Sequence, residues 1–195
     1  MEFIDNLNQY DYLFKFIILG ITDIGKTYLV NRIKFYNDYP KFVGCQKKIG
    51  PTFGVEFILL FIKYKAKLIK IHFWDTSGNI HFESNVSYSM RGCKAFLLCY
   101  DAYNRDSFEY IRNKYYEIKN KYNNTICAFI RIKYDIKINK DNETIVSDEE
   151  ALEFADENNI IFGHISSIEK YEAGIIKIFE LIIDKVLDIE EKNSK

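Results

Sequence analysis

Gly20-Ile21-Thr22-Asp23-Ile24-Gly25-Lys26-Thr27 spells G-x-x-x-x-G-K-T directly after the apolar run Phe14 to Leu19. A strand that runs into such a loop and then into a helix wraps successive backbone N–H groups around a chain of phosphates. The N-terminus of the helix beneath adds the positive end of its dipole. In this arrangement Gly20, Asp23, Ile24 and Gly25 form the cradle. Lys26 then reaches the outer phosphates, and the Thr27 hydroxyl takes a position on Mg²⁺. The ligand class that follows is a nucleoside triphosphate with magnesium.

Two further segments offer groups of matching use. Trp74-Asp75-Thr76-Ser77-Gly78 ends a β-like run with an acid and a glycine. An aspartate there holds Mg²⁺ through water, and a glycine N–H is free to meet a γ-phosphate. Pro51-Thr52-Phe53-Gly54 puts a second hydroxyl, that of Thr52, ahead of another β-like run. A segment ligating Mg²⁺ through Thr52 is ordered only while the γ-phosphate is present, which is the physical basis of a loop switch.

The elements that must position these groups alternate along the chain. Strands are expected at Phe14–Leu19, Val55–Tyr64, Leu68–Trp74, Ala95–Tyr100, Thr125–Ile132 and Ile160–Ile165. Helices are expected at Lys26–Lys34, Ser107–Lys121, Asp148–Asn158 and Gly174–Asp188, with a further one near Phe82–Met90. Ser147 before Asp148-Glu149-Glu150 reads as a helix N-cap. Only Lys65-Ala66-Lys67 separates the second and third strands, which is too short for a crossover helix, so they pair antiparallel at a sheet edge. The fold class is α/β: a six-stranded, mostly parallel sheet with one antiparallel edge strand and about five helices. The 195 residues suit a single domain, with residues 1–10 as a leader and 189–195 as a short polar tail.

Net charge is −1, so no whole-molecule field favours nucleic acid. The four cysteines, Cys45, Cys93, Cys99 and Cys127, lack metal-ligand spacing and read as reduced thiols. No apolar stretch is long enough to span a bilayer.

The phosphate loop alone suits ATPases, kinases and GTPases alike, and further segments narrow the choice. Tyr10 to Lys15, Thr52-Phe53-Gly54-Val55-Glu56-Phe57, Trp74 to Gly78, Arg91-Gly92-Cys93, Tyr100-Asp101, Asn104 to Glu109 and Glu153 to Asp156 together resemble a Rab-type small GTPase of the Ras superfamily. The resemblance covers most of the chain. It implies the small-GTPase fold, GTP and GDP with Mg²⁺ as cofactors, and a nucleotide-dependent switch in vesicle and intracellular protein transport. Carried over by position, Gly25, Lys26 and Thr27 hold phosphates and metal. Thr52 ligates Mg²⁺ in the triphosphate state, Asp75 stands behind the metal, and Gly78 senses the γ-phosphate.

The chain departs from the family at the base and at the water. The N-K-x-D motif aligns with Ile132-Lys133-Tyr134-Asp135. Asp135 is expected to accept hydrogen bonds from guanine N1 and N2, and the Lys133 stem to lie along the base, while the asparagine amide is lost. One missing neutral hydrogen bond costs about 1 kcal/mol, more where a buried partner is stranded, so weaker nucleotide binding is expected. The S-A-K loop aligns with Ser166-Ser167-Ile168, with Ser167 N–H directed to guanine O6; a two-residue slip would put Lys170 there instead. Asn79 stands where a glutamine orients the attacking water and is one methylene too short, so slow intrinsic hydrolysis is expected. The loop Asn37 to Pro51 is longer than the family's, and Tyr39 is the candidate aromatic beside the base.

The implied partners are guanine nucleotide and the effector, exchange and activating proteins that meet the switch loops around Thr52 and Asn79. Phe57, Trp74 and Met90 form part of that surface or serve as packing. The final residues Glu191 to Lys195 lack prenylation cysteines, so a cytoplasmic protein is expected, reaching endomembranes through partners unless the chain extends further. The alternative is a pseudo-GTPase that serves as a scaffold, binding nucleotide constitutively or not at all.

Overall fold

The computed structural model describes residues 1–4, 9–36, 50–122, 124–132, 146–165 and 172–193. Among these residues seven strands form one sheet: β1 (Glu2–Ile4), β2 (Tyr12–Leu19), β3 (Val55–Tyr64), β4 (Lys67–Thr76), β5 (Ala95–Asp101), β6 (Ile126–Ile132) and β7 (Ile161–His164). Their spatial order is β1-β3-β4-β2-β5-β6-β7. From β4 through β2, β5 and β6 to β7 every neighbour is parallel, whereas β3 pairs antiparallel with β4 and β1 with β3. Five α-helices accompany the sheet among the described residues: α1 (Lys26–Lys34), α2 (Glu83–Ser89), α3 (Arg105–Lys121), α4 (Asp148–Glu157) and α5 (Glu172–Asn193). A 3₁₀ turn, Ile80–Phe82, precedes α2.

Strand alternation sorts the core into two layers. Phe14, Phe16 and Ile18 of β2 with Ile69, Ile71 and Phe73 of β4 face α1 and α5. Ile17 and Leu19 with Phe96, Leu98 and Tyr100 of β5 face α2, α3 and α4. The interior strand β5 is buried at every position, as its uninterrupted apolar run requires. Ser147 caps α4 by accepting from the Glu150 N–H at 3.1 Å, and Asn104 caps α3 by accepting from the Ser107 N–H at 3.1 Å. The Asn104 cap starts α3 two residues ahead of the expected Ser107.

Two termini differ from expectation. Part of the supposed leader is the strand β1, in register Glu2↔Lys63, Phe3↔Ile62 and Ile4↔Phe61. Just ahead of it, the Met1 α-ammonium donates to Glu180 Oε1 of α5 at 3.0 Å. The supposed polar tail continues α5 to Asn193, where Lys94 meets Glu190 at 2.6 Å and Lys67 pairs with Glu191. Neither end shows in the hydrophobic pattern, because partners distant in sequence hold both in place.

Candidate functional site

β2 lies where the chain's connections diverge, with β4 on one side and β5 on the other. In open α/β sheets, ligands gather beyond the carboxyl ends of strands at such a point. Here β2 runs into Gly20–Gly25, and α1 starts at Lys26. Gly25, at φ +104°, occupies a backbone region that side chains disfavour, and it turns the loop into the helix.

A cleft of about 890 Å³ opens over this loop. Asp23, Gly25, Lys26 and Thr27 line it from one side, Thr52 from a second, and Thr76, Ser77 and Asn79 from a third. The volume suits a nucleotide-sized ligand. Lys26 is buried and its ammonium donates to Ile21 O at 2.7 Å, with Ser77 O at 3.4 Å. Burial lowers its pKa, and the nearby Asp75 and Asp23 oppose that shift.

Three separate segments bring oxygen atoms to one point. Thr27 Oγ1 lies 2.8 Å from Thr52 Oγ1 and donates to Asp75 Oδ2 at 2.5 Å. Asp75 is fully buried, and its Oδ1 has no hydrogen-bond partner among the described residues. Burial pushes its pKa up to about 6, against the Thr27 hydrogen bond and the Lys26 charge. Two hydroxyls and a carboxylate with an unused oxygen make a hard donor set, which fits a cation such as Mg²⁺. No cluster of histidine, cysteine and acidic side chains among the described residues offers a rival metal site.

Gly78 sits against the phosphate loop with φ +72°. A side-chain carbon there would lie 2.3 Å from Gly20 O and 2.6 Å from Lys26 Nζ, so only glycine allows this approach. Asn79 follows, with its backbone N–H directed to Ser77 Oγ at 3.3 Å. Its Oδ1 accepts from the His81 N–H at 2.9 Å and closes an Asx turn at the start of the 3₁₀ segment. The carboxamide oxygen is therefore occupied by the protein's own backbone.

Gly20 and Ile24 do not line the cleft. Ile24 is a buried core residue, leaving only its backbone for a ligand. Ile132 packs beside the phosphate loop: a side-chain carbon on Gly25 would come 3.3 Å from Ile132 Cγ2. Met90 is 1% exposed and belongs to the core under α2 and α3, so it is no part of a surface with Phe57 and Trp74. Tyr39, Lys133, Asp135, Ser166, Ser167 and the alternative Lys170 lie outside the described residues. Sequence reasoning overlooked Ser77, Phe53 and His81, all of which line the cleft. Position was the available signal for two of them, since Ser77 adjoins Gly78 and Phe53 adjoins Thr52, whereas His81 lies two residues beyond Asn79.

A family model described as Ras family matches residues 15–188. The chain is 28% identical to Ras-related protein RABC1 of Arabidopsis thaliana, across 92% of this chain and 80% of that relative. It is 29% identical to Ras-related protein Rab-1 of Theileria parva, across 93% of this chain and 78% of that relative. With Ras-related protein RABA1f of Arabidopsis thaliana the identity is 29%, across 93% and 82%.

Proposed function

The chain belongs to the Ras family of small GTPases, and from that premise we propose a Rab-like switch with weakened base recognition and slow intrinsic hydrolysis. Its class is that of small GTPases of vesicle traffic, with GTP or GDP and Mg²⁺ as cofactors. We take residues 1–195 as one GTPase domain.

The convergence of Thr27, Thr52 and Asp75 carries this reading. These residues come from a helix, a loop and a strand end, and a scaffold has no evident chemical need to gather them. Thr27 and Thr52 would hold the metal, with Asp75 behind them and Lys26 against the outer phosphates. When bound, the metal would supply charge that polarises the phosphate oxygens. Gly78 offers its N–H to the terminal phosphate, so the segments bearing Thr52 and Gly78 are held only while that phosphate is present. Asp135 and Lys133 read the base, Ser166 and Ser167 flank it, and Tyr39 lies beside it. Effector, exchange and activating proteins read the segments around Thr52 and Asn79, and the protein works from the cytoplasm or on endomembranes through such partners.

Two observations support the finer reading. Ile132 Cγ2 would stand 3.3 Å from a side-chain carbon at Gly25, an apolar group where the family has an amide, so the base site loses a polar tie. Asn79 is short and committed to His81 N–H, so it does not orient water. The same two observations favour a second reading, a scaffold whose partners ignore nucleotide.

Titration with fluorescent GDP, GTP and ATP analogues, with and without Mg²⁺, tests the proposal. Magnesium-dependent binding that prefers guanine and is lost in Lys26→Ala is the expected result. Binding unchanged by that substitution, or none at all by a folded protein, points to the scaffold.

A further inference from the structure

The nucleotide cleft opens at the carboxyl ends of the parallel strands. A second cavity, of about 470 Å³, lies at their opposite end, where β6 begins. The last turns of α3 with Tyr122 just beyond them form one wall, the turn after α4 a second, and Lys185 of α5 a third. None of the residues around this cavity lines the nucleotide cleft.

The floor is apolar and uncharged. Ile118, Ile160 and the Tyr115 ring are buried there, and Ile126 is partly buried beside them. Burial pushes the Cys127 thiol up to about 12, so the floor presents no thiolate. No aspartate or glutamate lines the cavity, whereas two lysines, Lys119 and Lys185, do.

The polar groups divide into acceptors already used and donors still open. α3 and α4 both end here, and free carbonyls at helix C-termini attract cations. These carbonyls are engaged by the protein itself. Ile118 O accepts from the Tyr122 N–H at 2.8 Å, Ala155 O from the Ile160 N–H at 2.8 Å and Asp156 O from the Asn159 N–H at 3.2 Å. Asn158 O accepts from the Tyr115 hydroxyl at 3.3 Å. The side chains of Asn124, Thr125 and Asn159, by contrast, make no hydrogen bond among the described residues. Neither lysine forms an ion pair among those residues, and Lys119 Nζ rests 5.5 Å from the centroid of the Tyr115 ring.

We propose that this cavity binds a small aromatic anion, a planar ring carrying one carboxylate or phosphate, separately from the nucleotide. The ring packs against half-buried Tyr122 and Ile126 above the apolar floor. The anion accepts from Lys119 and Lys185, with Asn124, Thr125 and Asn159 as neutral donors around it. The volume lies in the range of small-ligand sites, and two cations match one anionic group better than a triphosphate.

Titration of the full chain with 2-naphthoate, 2-naphthyl phosphate and neutral 2-naphthamide, followed by backbone N–H chemical shifts, tests the proposal. GDP and Mg²⁺ in excess compete for the cleft, so a signal that survives them arises elsewhere. At least one anion should shift Thr125, Cys127 and Asn159 and bind about tenfold or more tighter than the naphthamide. The tighter of the two anions identifies the headgroup. Replacing both lysines, by Lys119→Gln with Lys185→Gln, should lower its affinity to that of the naphthamide and leave naphthamide binding unchanged. Asn159→Asp sets an acid at the cavity, at a φ of +52° that aspartate tolerates, and should weaken the anion by about tenfold. Circular dichroism checks folding, and the lysine and Asn159 variants report independently of each other. Naphthamide bound as tightly as both anions, or anion binding unchanged by the substitutions, would overturn the proposal. So would shifts confined to the cleft, or none at about 2 mM ligand, which is weaker than any specific site requires.

Discussion

The oxygen of the Asn79 carboxamide caps a turn, and this decides what substitutions there should do. Asn79→Ala removes a bond to His81 N–H and, on the proposed reading, no water-orienting group, so single-turnover GTP hydrolysis should change by less than about threefold. Asn79→Gln restores the reach that the shorter stem lacks. Misplacement on the ångström scale costs about 10²-fold, so this variant should hydrolyse GTP up to roughly 10²-fold faster than the parent. Gly78→Ala meets a different obstacle, with Gly20 O 2.3 Å from the new carbon and a positive φ. A strained site of this kind costs about 1–3 kcal/mol, and the effect should appear as lost preference for GTP over GDP. Thr27, Thr52 and Asp75 were legible in the sequence because hydroxyls and an acid in that order have a defined chemistry with phosphate and metal. The Ser77 and Asn79 hydrogen bonds were not legible, since they arise from a local turn that residue type alone leaves open.

At the level of elements, the alternating β and helical runs made most of the sheet readable, and β3 was expected at its observed bounds, Val55–Tyr64. The strand β1 escaped notice because three residues are too few to show a period-2 pattern, and its order comes from pairing with β3 across most of an intervening unit. The ring of Phe3 packs toward the core beside Tyr36, with centroids 6.1 Å apart. Phe3→Ala should therefore lower unfolding free energy by about 1–2 kcal/mol, less than a full core truncation, with nucleotide affinity unchanged. Denaturant melts of the nucleotide-loaded variant, with a parallel binding titration, check both parts. In α5, Ile182 is fully buried, and Ile182→Ala should cost about 2–5 kcal/mol in the same melt.

For the whole molecule, stability and ligand binding are one equilibrium. A folded state that holds Mg²⁺ and nucleotide, facing an unfolded state that does not, gains about 2.7 kcal/mol when free ligand is a hundredfold above its dissociation constant. GTP with Mg²⁺ should accordingly raise the melting temperature, and a chelator should remove most of that gain. No helix among the described residues is long and apolar enough to cross a membrane. Ile132→Asn returns an amide to the edge of the phosphate loop and should tighten guanine nucleotide binding by roughly fivefold, about the value of one hydrogen bond. The central claim is tested most directly by purifying the protein in Mg²⁺, denaturing it and identifying the released nucleotide by chromatography. The account predicts nearly one GTP per chain, held by the cleft and slow to be hydrolysed. A folded protein that releases no nucleotide, and afterwards takes up neither GTP nor GDP, would contradict it.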